Sequence, residues 1–441
     1  MRAAFSALVI TGVALSAACG GGSGGGPSTG SLTVTITTPS SVTALVTVAG
    51  SGGYSHVLTS TSTLDGLAPG SYTVSATATR VSGALVDTVY DGAVTGSPAT
   101  VTKGATATAS VTYALRTGSG HVWLTDKVRQ EVQGYAPSQL AATGSPTPDV
   151  AVGTGGSTQT YDLSVAPGGA LWVALPSQDE FARYDPTQLA ASGTPTPGAT
   201  LSAGFVDRGI FDHSGNLWVD VVSGSAPVIE RFDAAGLSGT GALSATATLT
   251  WTLPTAGYGA KMAFDASKNL WILNSGDYGS HPAQIYRADA ATLSASGTSA
   301  FSPGATITSS DVFYVQGCAF DADGALWIAV LNQSGSSPAV NLVRYSSSQL
   351  AVAGAHIVDP EAVITVSGAG SLGSVAFDAS GNLWIADYTA RTLSRLLRTN
   401  IVGSGSLTAT PDIVVTTPAA ATPGLTGLAF DPPPANLPLA Q

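Results

Sequence analysis

Charge is scarce in this 441-residue chain: Asp, Glu, Lys and Arg make up 10% of it, against 44% hydrophobic residues. Helix formers such as Lys and Glu are therefore rare, which argues against a mainly helical architecture. Cysteine is nearly absent, with Cys19 and Cys318 alone. No disulfide framework can hold the fold, so packing must. Basic residues are outnumbered 16 to 27, and an acidic surface repels phosphate backbones, which excludes nucleic acid as a partner. What is abundant is Gly (53), Pro (25), Ser and Thr, the composition of many short strands joined by turns. The length exceeds what one core usually supports, so the chain needs several domains or a repeat.

The N-terminus carries one positive residue, Arg2, then an apolar run from Phe5 to Ala18 broken only by Ser and Thr. A run this short reads as a signal peptide over residues 1–18 and not as a membrane span. Its loss removes only Arg2, making the chain one unit more negative than its full-length −11. Leu15-Ser16-Ala17-Ala18-Cys19 resembles the lipobox of bacterial lipoproteins, with Ser16 standing where Leu is most common. That resemblance implies lipidation of Cys19 and a membrane partner through the lipid anchor, since acyl chains bury about 0.8 kcal/mol per CH₂. Gly20 lacks the acidic character of an inner-membrane retention signal, so an extracytoplasmic place at the outer membrane or cell surface is expected. With Cys19 the lipidated residue of a tether over 19–30, GGGSGGGPSTG after it spans roughly 17–20 Å as a random coil.

Residues 31–116 alternate apolar and polar at period two, as in Leu32-Thr33-Val34-Thr35-Ile36 and Tyr72-Thr73-Val74-Ser75-Ala76, the mark of half-buried antiparallel strands. Leu64-Asp65-Gly66-Leu67-Ala68-Pro69-Gly70-Ser71-Tyr72-Thr73-Val74 resembles a stretch of bacterial carboxypeptidase-regulatory-like and related Ig-like sandwich modules. The resemblance implies a small Ig-like β-sandwich acting as a spacer.

Beyond residue 117 a repeat dominates. Trp123, Trp172, Trp218, Trp271, Trp327 and Trp384 recur at intervals of 46 to 57 residues. Full copies read Phe211-Asp212-His213-Ser214-Gly215-Asn216-Leu217-Trp218 or Phe377-Asp378-Ala379-Ser380-Gly381-Asn382-Leu383-Trp384, which is strand, tight turn, strand. A third strand such as Ala182-Arg183-Tyr184, a connector such as Thr187-Gln188-Leu189-Ala190, and a fourth strand such as Ala362 to Val366 follow. Four strands in about 50 residues make one propeller blade. The first copy lacks its Phe-Asp strand, while Gly427 to Asp431 ends the repeat without a Leu-Trp strand. The two fragments complement each other, so the expected fold class is all-β: the sandwich, then a six-bladed β-propeller over 117–441 closed by the C-terminal strand, which hides sheet edges. The repeat resembles the NHL repeat and the streptogramin-lyase-like and gluconolactonase-like propellers, although its connectors are longer than those of compact NHL repeats.

The Asp six residues before each Trp (Asp212, Asp265, Asp321, Asp378) reads as turn punctuation, because Asp accepts from backbone two residues on and the following Gly takes positive φ. Cys318 reads as a small core residue. A binding site is sought at the channel mouth, where the inner strands begin. Counting ten and eleven residues back from each Trp gathers Tyr161, Asp162, Asp207, Arg208, Lys261 and Gln316. These six are the candidate ligand-binding rim, for a glycan, peptide or protein, with an ion-paired plug as the alternative. Loops after the second strands add Asp220, Asn274, Asp277 and His281. No calcium-loop spacing is present, so no cofactor is assigned, though Asn and Asp oxygens there suit a divalent cation such as Ca²⁺. The enzyme families on this fold hold a divalent cation with Glu, Asn and Asp, or use His with a metal, at the rim. The matching positions here have neither His nor Glu, so their catalytic residues cannot be carried over. The expected role is a non-enzymatic cell-envelope binding or scaffold module; the alternative is a metal-assisted lactonase or lyase with a divergent site.

Overall fold

The structure is a computed structural model that describes residues 28–83, 85–155, 159–221, 227–255, 257, 259–276, 282–309, 312–332, 339–418, 424–435 and 437. The signal peptide, Cys19 and most of the Gly-rich tether lie outside the described residues. The protein is all-β, with two short helices, Ser347–Leu350 and Arg398–Ile401. It divides into two compact units, one of residues up to 37, 44–77 and 92–112, the other of 38–43, 78–91 and 113–441.

In the first unit Gly30–Thr37 pairs antiparallel with Ser62–Leu67 and parallel with Thr106–Leu115. A second sheet runs in the order Ser55–Leu58, Val46–Gly50, Gly70–Ala76, Ala99–Val101. The period-two pattern does what it should: Leu32, Val34, Val46, Val48, Tyr72, Val74 and Val111 are all buried, while the Thr and Ser between them face out.

Among the described residues the second unit contains six sheets whose innermost strands are Leu163–Val165, Val206–Phe211, Ala260–Phe264, Tyr314–Phe320, Leu372–Phe377 and Leu425–Asp431. Each inner strand touches the next, and Leu425–Asp431 touches Leu163–Val165, so the six form a closed cycle and the unit is a β-propeller. The closing strand pairs antiparallel with His121–Asp126, Val122 opposite Phe430 and Leu124 opposite Leu428. Small residues let the inner strands approach: a Cβ on Gly317 would come within 2.9 Å of the Ser374 backbone, and one on Gly427 within 2.8 Å of the Asp162 carboxylate. The six repeated Trp side chains are at most 2% exposed and pack against apolar residues of neighbouring sheets, Trp172 edge-on to Phe211 and Trp327 to Phe377.

The expected four strands per sheet prove too few. Four sheets gain a fifth, parallel strand: Gly241–Leu243 on Ala199–Ser202, Gly297–Ala300 on Leu249–Thr252, Gly354–Ile357 on Ala305–Thr308 and Gly405–Ala409 on Ala362–Val366. Each added strand comes from the connector of the next sheet along the chain. Single parallel bridges, Val152 to Gly193 and Val415 to Gly144, repeat the arrangement on the other two sheets. The connectors thus stitch the outside of the ring, which accounts for their length.

Candidate functional site

The turn Asp residues have a fuller role than their sequence position shows. In each of Asp212, Asp265, Asp321 and Asp378, Oδ1 accepts from the backbone N–H groups two and four residues on. Oδ2 accepts from the Nε1 of the Trp six residues on, at 2.8 to 3.0 Å. One carboxylate therefore closes the turn and satisfies the buried indole. Gly215, Gly324 and Gly381 take φ near +80° in these turns, and Lys268 does so at +65° in the copy that lacks the Gly.

At the other ends of the inner strands, the structure brings Tyr161, Asp162, Asp207, Arg208, Lys261 and Gln316 around one cavity of about 420 Å³. Arg208 Nε donates to Asp162 Oδ2, and Lys261 Nζ to Asp207 Oδ2. The ion pairs of the plug alternative thus exist, yet they leave the cavity standing. Arg208 is 1% exposed, and its Nη2 reaches Ser374 Oγ at 3.4 Å while its Nη1 has no hydrogen-bond partner among the described residues. Burial opposes the Arg208 charge, but Asp162 holds its guanidinium above the ordinary value. Burial also pushes the Asp162 carboxyl up, against the pull of Arg208 and Lys261. We read the pair as ionised, because both partners hydrogen-bond directly across it.

Lys127 is a rim residue that counting back from Trp does not find. It donates to Tyr161 Oη at 2.8 Å and lies 4.3 Å from the centre of that ring, and among the described residues no carboxylate pairs with it. The cavity wall therefore carries Lys127, Arg208 and Lys261 against Asp162 and Asp207, a local positive excess in an acidic chain. Tyr314 and Tyr388 add aromatic faces. A signal for these residues was present, since Lys127, Leu331 and Tyr388 each stand four residues after a repeat Trp, and Tyr314 and Ser371 thirteen before one.

The loop candidates need correction. Asp220 and Asn274 are not loop residues: they lie in the second strands Leu217–Val221 and Leu270–Asn274 and are at most 1% exposed. Asp220 Oδ2 accepts from the Ala260 N–H at 2.7 Å, joining its second strand to the inner strand of the next sheet, while Asn274 Nδ2 donates to the Thr255 carbonyl at 3.0 Å. Polar side chains at these strand ends answer backbone groups of the neighbouring chain segment, which draws them inward. Burial, and then Asp207, push the Asp220 carboxyl up to about 7. Asp277 and His281 lie outside the described residues. Cys318 is fully buried on an inner strand, where burial pushes its thiol up to about 12, so it is no nucleophile. His121 bonds Asp149 and the Gly118 carbonyl, and His213 sits at the far end of the ring. Among the described residues no group of three or more His, Cys, Asp or Glu side chains gathers as metal ligands.

No protein-family model matches the sequence, and no curated protein matches it. Solved structures similar to the chain include the PQQ-bound aldose sugar dehydrogenase of Streptomyces coelicolor, at 17% identity, 61% of this chain, 93% of that chain and TM-score 0.39. Virginiamycin B lyase of Staphylococcus aureus follows at 15%, 65%, 80% and 0.38. A gluconolactonase of Xanthomonas campestris follows at 13%, 54%, 73% and 0.37. All three are β-propellers, and the chemistry of each is its own.

Proposed function

We propose that the protein is a cell-envelope lipoprotein, held by Cys19, in which an Ig-like sandwich spaces a six-bladed propeller from the membrane and the rim cavity binds a polar ligand bearing an anionic group. The observation that carries the reading is Arg208, a buried guanidinium at the cavity wall with one N–H-bearing nitrogen left without a partner among the described residues. A buried donor without a partner costs about 1–3 kcal/mol, which a carboxylate or phosphate oxygen would recover. Lys127 adds a cation with no carboxylate partner among the described residues, and tyrosine faces suit the body of a sugar.

The test is calorimetric titration with glucuronate and with glucose, whose rings differ chiefly by the carboxylate. Glucuronate is expected to bind at least about tenfold more tightly, and Lys127→Met to remove most of that preference. Equal affinity for the two sugars, or an unchanged preference in Lys127→Met, would remove the anion from the reading. Arg208 itself is a poor first target, because its loss strands the buried Asp162 charge and costs about 3–5 kcal/mol of stability.

A further inference from the structure

The inner strands begin at the rim and end at the opposite mouth of the ring, where a second cavity of about 210 Å³ lies among Val165, Ile210, Phe211, Asp431 and Pro432. Asp431 ends the closing strand and is 0% exposed. Among the described residues neither of its carboxylate oxygens has a hydrogen-bond partner. The cations near it are already committed. Arg116 donates to both oxygens of Asp91, at 2.8 and 2.7 Å, and to the Pro167 carbonyl at 3.1 Å. Arg80 donates to the Pro433 carbonyl at 2.7 Å and pairs with Asp87 at 3.7 Å. His121 is held between Asp149 and the Gly118 carbonyl. Asp212, also on the wall, is spent on its own turn and on Trp218. His213 completes the titratable groups of the cavity, its pKa lowered by burial and Lys268 against the pull of Asp212.

We propose that this second mouth is a binding pocket for a small primary ammonium compound with an apolar body, Asp431 receiving the ammonium and Val165, Ile210, Phe211 and Pro432 the body. The proposal goes beyond the rim reading and does not depend on it. An ammonium brings three donors to two empty acceptor oxygens and neutralises a charge that is costly to bury alone. Val165, Ile210, Phe211, Pro432 and Pro433 give the cavity an apolar portion beside Arg80, Arg116, Asp212 and His213, so an apolar body seated there gains by leaving water. A second carboxylate would meet Asp431 with like charge, and among the described residues a bare metal ion would find one carboxylate uncommitted.

The carboxyl of Asp431 is pushed up to about 7 by burial, with Arg116, His121 and Arg80 pulling it back. Protonated Asp431 offers no charge to an ammonium, so affinity should rise with pH through that range.

The probe is 2-phenylethylamine, with 2-phenylethanol as its neutral counterpart, titrated calorimetrically into the whole protein. The amine is expected to bind at least about tenfold more tightly than the alcohol. Asp431→Asn should remove that difference, and Lys127→Met at the rim should leave it intact. Should Asp431→Asn fail to fold, the wild type alone decides: amine affinity should fall about tenfold or more between about pH 8.5 and about pH 5.5. No amine binding at millimolar concentration, equal binding of amine and alcohol, affinity independent of pH, or loss of binding in Lys127→Met would each overturn the proposal.

Discussion

At the scale of single residues, many charges in this protein sit beside a partner of opposite sign, whereas Asp220 has only the Ala260 N–H as partner among the described residues. Its carboxyl is buried beside Asp207 and titrates near 7 in the folded protein, against about 3.9 in an unfolded chain. Between those values the folded state holds more protons than the unfolded one, so stability falls as pH rises from about 4 to about 7 and levels off above. The contribution of this residue is a few kcal/mol, in favour of the acid side. Asp220→Asn keeps an oxygen for the Ala260 N–H and loses the titration. Urea unfolding across that pH range should therefore show a shallower slope for the variant and greater stability at pH 8. An unchanged slope would show that Asp220 is ionised in the folded protein at all these values. The residue was legible as polar and near the mouth, but its depth was not. In the sequence it reads as a loop residue just past the second strand; the strand instead runs through it, and its pairing with Val206–Phe211 puts it behind the inner wall.

At the scale of elements, the core strands were readable because period-two alternation, Asp-Gly turns and the Leu-Trp spacing are local signals. The stitching strands were not. Gly241–Leu243, Gly297–Ala300 and Gly354–Ile357 are short, largely exposed and, apart from Leu243 and Ile357, polar or small, and each becomes a strand only by meeting an edge more than 40 residues away in sequence. The repeated Arg of the third strand strengthens the same seam. Arg231 lies 5.8 Å from the centre of the Trp218 ring, donates from Nε to Asp233 at 2.9 Å, and donates from Nη1 to the Leu293 carbonyl in the next sheet's connector. Arg183 and Arg287 repeat the arrangement toward Leu237 and Leu350. A lysine has the charge without the fork. Arg231→Lys should thus cost about 1–2 kcal/mol in urea unfolding, against less than about 0.5 kcal/mol for Arg398→Lys, whose ion pair with Asp323 is exposed. Equal losses in the two variants would reduce the clamp to surface charge.

For the whole propeller unit, closure is the property that the two incomplete ends of the repeat announced. It is made three times over. Leu425–Asp431 completes the sheet of His121–Asp126, Gly144 of the first connector bridges to Val415, and Arg391 pairs with the fully buried Asp126. A closed ring has no terminal sheet to lose, because each inner strand leans on two others. An open solenoid differs, since its stability is close to a sum over neighbours and trimming one end leaves the rest standing. A chain ending at Gly424 separates the two cases. It lacks Leu428, Ala429 and Phe430, all 0% exposed, and it bares the edge of His121–Asp126 to other chains. Closure predicts that this truncated protein loses its near-ultraviolet circular dichroism as a whole and elutes as an aggregate on size-exclusion chromatography. A soluble monomer keeping about five-sixths of the signal would instead show sheets that stand independently, as a solenoid's do. In that event the two mouths of the ring, each drawing residues from several sheets, could not be the fixed pockets that both binding proposals require.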